Sequence, residues 1–251
     1  MNMLIYKDER IDEVNDKISL IQKPDGLTFG TDALLLAGYV AGKHRLGAEL
    51  GGGSGIISML LLSRTKVNKI TAYEVQKEYA DLIRRNSEYN SFGERLISEC
   101  IDIRELTATE DCDLVFTNPP YMKSDSGANN TLDKKAFARH ELHGDILDFC
   151  SAATKKLRYG GAFYAVYRPD RLADIIYAMR KTGLEPKRMT FVHADTESEA
   201  SMVLIEAKRG GKSGMILTRP LIIYGDHTHK SYGGDMEYIM ETGSFPPSYK
   251  R

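Results

Sequence analysis

Ala48-Glu49-Leu50-Gly51-Gly52-Gly53-Ser54-Gly55-Ile56 reads as the end of a strand, a glycine-rich turn and the start of a helix. The strand covers Ala48 to Leu50 and the helix runs from Ile56 to about Ser63. Glycines at 51, 52, 53 and 55 let the backbone turn tightly and let a ligand approach it closely. Such a loop opens many nucleotide-binding sheets, so its neighbours must say what it holds. Glu49 puts a carboxylate immediately before the turn. The spacing Gly51-x-Gly53-x-x-Ile56 lacks the third glycine of the dinucleotide fingerprint, which argues against a pyrophosphate cradle.

Working outward, the chain alternates strands and helices. Lys69 to Tyr73 is a strand, Gln76 to Asn90 an amphipathic helix with Tyr79, Leu82, Ile83 and Asn86 on one face, and Leu96 to Cys100 a third strand. Asp113 to Thr117 has the continuous apolar centre of a strand buried on both faces. A long polar segment covers 121–143. A helix from about Asp145 to Leu157 follows, and Tyr159-Gly160-Gly161 turns the chain into a strand from Ala162 to Tyr167. The rest reads as a helix from Arg171 to Lys181 and strands from Lys187 to His193 and Ser201 to Ala207. Alternation implies a parallel sheet covered on both faces, and two consecutive strands at the end imply one antiparallel strand.

Ahead of the sheet, residues 1–24 are expected to form a β-hairpin-like extension, with Lys17 to Gln22 alternating as a half-buried strand. Pro24-Asp25-Gly26 is a turn signal. Thr31 is the expected N-cap of a helix to about Ala41, with Asp32 in its first turn favoured by the helix dipole. The main domain is expected over 25–209. The tail, 210–251, is expected to pack back on it through the apolar run Pro220-Leu221-Ile222-Ile223-Tyr224.

Composition bounds the function. The chain has 251 residues, 42% of them hydrophobic and 27% charged, as in a globular protein with a sizeable core. Neither a membrane-spanning run nor a signal peptide is legible, and a cytoplasmic location is expected. Three cysteines, Cys100, Cys112 and Cys150, have no metal-clip spacing and read as buried hydrophobes in a reducing compartment; no metal is expected. The net charge is −1, but from Lys155 onward there are 16 Lys+Arg against 11 Asp+Glu, and before it 18 against 24. A mildly basic back half is compatible with RNA contact and equally with ordinary surface. The oligomeric state is open; a monomer is the working expectation.

Three carboxylates fall at the carboxyl ends of three successive strands, where open α/β sheets bind ligands: Glu49, Glu74 and Asp102. Glu74 is placed to accept both hydroxyls of a ribose. Asp102 is placed to accept from an adenine amino group, with Ile103 on the ring, although capping a helical turn would explain the same residue. At the end of the fourth strand stands Asn118-Pro119-Pro120-Tyr121. Prolines forbid helix and remove backbone donors, so the carbonyls around them are held rigidly. A planar amino nitrogen has two hydrogens, which the Asn118 side-chain oxygen and the Pro119 carbonyl could grip. That grip turns the nitrogen's electron density toward an electrophilic methyl group. Tyr121 supplies an aromatic face for stacking.

Asn-Pro-Pro-Tyr with the glycine loop resembles the amino-nitrogen methyltransferases: adenine-N6 enzymes of DNA and RNA, and release-factor glutamine methyltransferases. A closer resemblance spans nearly the whole chain. Phe29-Gly30-Thr31-Asp32-Ala33-Leu34-Leu35-Leu36-Ala37, the loop at Glu49 to Gly55, Asn118 to Tyr121, Ala138-Arg139-His140-Glu141 and the tail at Pro220 to Tyr224 are similar, in this order, to the bacterial tRNA1(Val) adenine-37 N6-methyltransferases. The resemblance implies a Rossmann-like class I methyltransferase fold, a seven-stranded mostly parallel sheet with one antiparallel strand. It implies S-adenosylmethionine as cofactor and RNA, an anticodon-loop adenosine of a tRNA, as partner. Thr31, Glu49, Gly51, Gly53, Glu74, Asp102, Ile103 and Asn118 would line the cofactor pocket, and Tyr121, Arg139 and His140 the substrate side. Gly52 departs from the family's more usual Thr or Cys and is expected to loosen the loop without abolishing binding. The glutamine methyltransferases carry a separate helical N-terminal domain, whereas the residues ahead of Gly47 have no long helical pattern, which favours RNA. A non-catalytic RNA-binding protein would not need Glu49, Glu74 and Asn118 to Tyr121, and an NAD-dependent oxidoreductase would need a different glycine spacing.

Overall fold

The computed structural model describes residues 5–23, 30–120 and 144–249. A hairpin of β1 (Arg10–Asn15) and β2 (Ile18–Gln22) precedes helix α1 (Thr31–Tyr39). The alternating unit follows: β3 (His44–Leu50), α2 (Ile56–Ser63), β4 (Val67–Glu74), α3 (Lys77–Tyr89), β5 (Leu96–Cys100) and β6 (Cys112–Thr117). Then come α4 (Ile146–Lys156), β7 (Leu157–Tyr167), α5 (Leu172–Lys181), β8 (Leu184–His193) and β9 (Ala200–Arg209). The tail adds β10 (Ile216–Leu217), β11 (Leu221–Ile222) and α6 (Gly234–Thr242).

Strands β3 to β9 lie in the order β8-β9-β7-β6-β3-β4-β5, with β9 antiparallel to both its neighbours. This is the expected Rossmann-like sheet of seven strands, and the tail extends it. Short β10 and β11 both pair parallel with β8, making a nine-stranded sheet among the described residues. The apolar tail run therefore packs back as a sheet edge, since Leu221 and Ile222 pair with Val192 and His193.

The buried strands show why both faces are covered. Leu114, Phe116, Ala162, Tyr164 and Val166 point into one core, with α1, α2, the hairpin and Ile83 of α3. Val115, Phe163, Ala165 and Tyr167 point into the other, under α4 and α5. A period of two along β6 and β7 thus feeds two apolar layers. The hairpin belongs to the first layer: Ile18, Leu20 and Ile21 are buried there.

Several boundaries differ from the sequence reading for local reasons. Gly30, in extended backbone, is the N-cap of α1, and Thr31 is its first helical residue with no side-chain capping bond from the cap. Strand β7 starts at Leu157, directly after α4, because a register shift opposite Cys112 and Leu114 absorbs Gly160 and Gly161 within the strand. Asp145 caps α4 through a reciprocal bond with Asp148. Cys100 is exposed, whereas Cys112 and Cys150 are buried, because Cys100 ends the edge strand β5.

Candidate active site

The order of the sheet reverses between β3 and β6: β4 and β5 lie to one side of β3, β6 and β7 to the other. Ligands bind at such a switch point, outside the carboxyl ends of the strands. Glu49 and Leu50 pair with Phe116 and Thr117, so Gly51 and Asn118 leave the sheet side by side. The Thr117 hydroxyl donates to the Leu50 carbonyl at 2.8 Å and locks the two strand ends together.

The glycine loop is tight and internally bonded. Gly51, Gly53 and Gly55 have φ of 70°, 55° and 81°, where a side chain would be strained. The Gly51 and Gly52 amides donate to the Tyr73 carbonyl, Gly55 to Gly52, and Gly53 to a Glu74 carboxylate oxygen at 3.0 Å. These amides are thus committed within the protein and make no cradle for a pyrophosphate. The room that a side chain at position 52 would take is held by Ile83: a Cβ there would lie 2.7 Å from the Ile83 Cδ1. The loop is therefore packed at Gly52, not loosened by it.

Three acidic groups meet this loop differently. Glu49 is 1% exposed. Its carboxyl bonds the hydroxyl of Ser58, which α2 carries beneath the loop. Burial, with a smaller push from neighbouring Glu74, raises the Glu49 carboxyl to about 8 against the downward pull of the Ser58 hydroxyl and amide. Glu74 is buried at the end of β4 and accepts from Gly53 and, at 2.9 Å, from the Gln76 amide. Asp102 caps the short helical turn of Ile103–Glu105 and grips the Arg104 guanidinium, with Nε at 2.9 and 3.0 Å from its two oxygens. Buried Ile103 packs beside it.

On the other side of the switch point, Asn118 is half-buried, Pro119 buried and Pro120 exposed. The Asn118 Nδ2 donates to Asp32 Oδ2 at 2.8 Å, which brings the start of α1 against the end of β6. Thr31 and Asp32 line a cavity of about 860 Å³ whose other walls include Tyr167, Arg168, Pro169 and Met202. The volume suits a small-molecule or nucleobase guest. The end of β7 and the start of antiparallel β9 build those walls, so the cavity opens on the same edge as the glycine loop.

The structure thus groups Glu49, Gly51, Gly53 and Glu74, sets Asn118 beside Gly51, and places Thr31 at the cavity. Asp102 and Ile103 stand at the end of β5, one strand beyond β4. Tyr121, Arg139 and His140 lie outside the described residues. Sequence reasoning missed Ser58 and Asp32 as parts of the site. The position of Ser58 within the first turn of α2, behind Glu49, was the available signal; for Asp32 only its place next to Thr31 was.

A family model described as Methyltransferase small domain matches residues 24–174. Among curated proteins, the tRNA1(Val) (adenine(37)-N6)-methyltransferase of Phocaeicola vulgatus is 27% identical over 185 residues, covering 71% of this chain and 76% of that one. The protein of the same name from Aeromonas hydrophila is 30% identical over 185 residues, covering 72% of this chain and 76% of that one. Among solved structures, a predicted O-methyltransferase from Agrobacterium tumefaciens superposes with a TM-score of 0.68 at 24% identity, over 86% of this chain and 98% of that one, and attests the fold. With glycine loop, switch-point asparagine and these matches in agreement, the chain belongs to the methyltransferase small-domain family, among the relatives of the tRNA1(Val) (adenine(37)-N6)-methyltransferases.

Proposed function

We propose that this methyltransferase uses S-adenosylmethionine to methylate the N6 amino group of an adenine in RNA, the adenosine at position 37 of a tRNA anticodon loop, and that it works as a cytoplasmic monomer. The observation that carries the reading is Asn118 emerging beside Gly51 with its side-chain amide held by Asp32. The relatives' names supply the tRNA adenine.

The residues present suit the cofactor. Glu49 is a buried carboxyl with a hydroxyl for a partner, and an ammonium nearby would favour its ionised form. Glu74 keeps lone pairs for ribose hydroxyls on oxygens already fixed by Gly53 and Gln76. Positive-φ glycines at 51 and 53 leave room for the amino-acid end, and Thr31 borders it. Asp102 and Ile103 take the adenine end. When bound, the cofactor supplies an electrophilic methyl: a nitrogen–carbon bond forms as the carbon–sulfur bond breaks, the electron pair leaves with sulfur, and the nitrogen then sheds one proton to water.

The chain's own part is orientation. The Asn118 side-chain oxygen and the Pro119 carbonyl accept the two amino hydrogens and turn the nitrogen's lone pair toward the methyl. Pro120 keeps the turn rigid, and Tyr121 stacks on the base. Arg139 and His140 hold phosphates next to the splayed adenosine. The test is to incubate the protein with isotopically labelled cofactor and either total tRNA or release factor, then to analyse nucleosides by mass spectrometry. N6-methyladenosine in tRNA is the expected product. Label in protein and none in RNA would overturn the reading in favour of glutamine methylation.

A further inference from the structure

We infer that Asp32 is a positioning residue for methyl transfer: it fixes which way round the Asn118 amide sits, and the step depends on it. The inference rests on the proposed amino-group chemistry. A primary amide can be turned over by half a rotation about its last bond, exchanging a donor for an acceptor. Turned one way, Asn118 offers oxygen to the target amino group; turned the other way, it offers an N–H that repels it. Both oxygens of the Asp32 carboxylate act as acceptors, so Asp32 accommodates the nitrogen and turns the oxygen away from itself. The bond observed is that one, Nδ2 to Asp32 Oδ2 at 2.8 Å.

Two further features hold the carboxylate in place. Its other oxygen accepts the Ala33 amide at 2.9 Å, within the first turn of α1, where the helix dipole favours a negative charge. Next to it, Gly30 has ordinary extended backbone, φ −109° and ψ −179°, so no conformational demand calls for glycine. What calls for it is space: a Cβ at position 30 would lie 2.7 Å from Asp32 Oδ1. The cap is stripped to a hydrogen where the carboxylate passes toward Asn118. Asp32 also lines the cavity beside that asparagine, so its charge acts in the space the substrate enters. A carboxylate behind the amide makes the amide oxygen a stronger acceptor, and this matters most as the amino nitrogen gains positive charge during transfer.

The test compares Asp32→Asn, Asp32→Glu, Gly30→Ala and the unsubstituted enzyme. Asp32→Asn can donate to Asn118 and so stabilises the reversed amide. Its kcat is expected to fall by about 100-fold, the order seen when one preorganised transition-state contact is lost, with KM for S-adenosylmethionine and tRNA within about threefold. Asp32→Glu should recover part of that loss, and Gly30→Ala should lower kcat with cofactor affinity retained. An unchanged kcat for Asp32→Asn, or equal losses in kcat and in cofactor affinity, would overturn the inference. A thermal double-substitution cycle of Asp32→Ala and Asn118→Ala reads the contact without turnover. Melting shifts that fall short of additive support the pairing, and strictly additive shifts overturn it. If the unsubstituted enzyme transfers no methyl to tRNA, the proposed function fails on its own, and this cycle still decides the Asp32–Asn118 pairing.

Discussion

Glu49 and Asn118 are neighbours across the switch point and do opposite work with their polar groups. Asn118 spends its N–H on Asp32 and presents an acceptor, so Asn118→Ala is expected to lower turnover by at least about 100-fold while calorimetry finds cofactor affinity within about threefold of the parent. Persisting turnover would remove Asn118 from the reaction. Glu49 is a buried carboxyl whose pKa is raised from 4.5 to about 8. A carboxyl raised on folding holds its proton more tightly in the folded state. Between pH 4.5 and about 8 the unfolded chain is already ionised there, so this group lowers stability progressively through that window as pH rises. Glu49→Gln removes that dependence. Its melting temperature relative to the parent should therefore rise from pH 5 to pH 8 without cofactor, while its cofactor affinity falls by about tenfold or more through loss of the ammonium partner. A constant difference between the two melting curves would place the titration elsewhere. The residue types of this site were legible in the sequence because each stands at a strand end next to a turn: Glu49, Glu74, Asn118. Ser58 and Asp32 were not, because their roles depend on which helix start lies against which strand end, and chain separation hides that. Asp102 reads both ways in sequence and structure alike, since the carboxylate that caps Ile103–Glu105 is also the one at the end of β5.

Among elements, α3 joins the hairpin to the glycine loop. Asn86 is fully buried on it. Its Oδ1 accepts the Ile21 amide at 2.7 Å, and its Nδ2 reaches the carbonyls of Ile21 and Ser54 at 3.2 and 3.0 Å. Asn86→Ala would leave these backbone groups buried and unpaired. The expected cost is about 2–4 kcal/mol, which calorimetry would read as a melting temperature lower by about 5–15 °C for a domain of this size. Cofactor affinity should fall as well, because Ser54 belongs to the loop. A loss of stability with affinity intact would separate the hairpin from the site. Ile83, one turn earlier, makes a complementary case. Gly52→Thr should destabilise through contact with its Cδ1, and Ile83→Val, which removes that methyl, should restore part of the loss. The elements themselves were largely legible. α2 and β5 match their sequence bounds because a glycine turn and an edge position punctuate them. β3, β8 and β9 run longer than read, since their outer residues pair with a neighbouring strand where charged residues, a glycine and a proline interrupt the apolar pattern. The start of β7 was misplaced for a related reason: the bulge lets Gly160 and Gly161 stay within a strand, where glycine ordinarily marks a turn.

On the scale of the whole molecule, the end of the tail meets the catalytic sheet at a buried side chain, beside the pairing of β10 and β11 with β8. Arg188 of β8 is 4% exposed. Its guanidinium stacks on the Tyr39 ring at 3.8 Å and pairs with Glu206 of β9. It also donates to the Tyr39 carbonyl at the end of α1 and to the Tyr249 carbonyl at the end of the tail. Sheet, helix and tail therefore meet on one planar cation, a geometry that arginine fits and lysine does not. Tyr39 and Tyr249 each set an edge against Phe245, which closes the apolar side of the joint. Arg188→Met keeps the volume and removes every donor, leaving the Glu206 carboxylate and two carbonyls without this partner. Breaking one side of a buried pair costs about 3–5 kcal/mol. The tail holds the fewest long strands, so it should loosen first: trypsin is expected to cut after Lys212 and Lys230 at temperatures where the sheet still melts cooperatively. Adding Glu206→Gln to Arg188→Met removes the stranded charge and should recover part of the stability while leaving the tail cleavable, because the bond to Tyr249 is still missing. If the single variant melts in one transition with the tail protected throughout, then the tail is held by β10, β11 and α6 on their own, and Arg188 serves only the joint between α1 and the sheet.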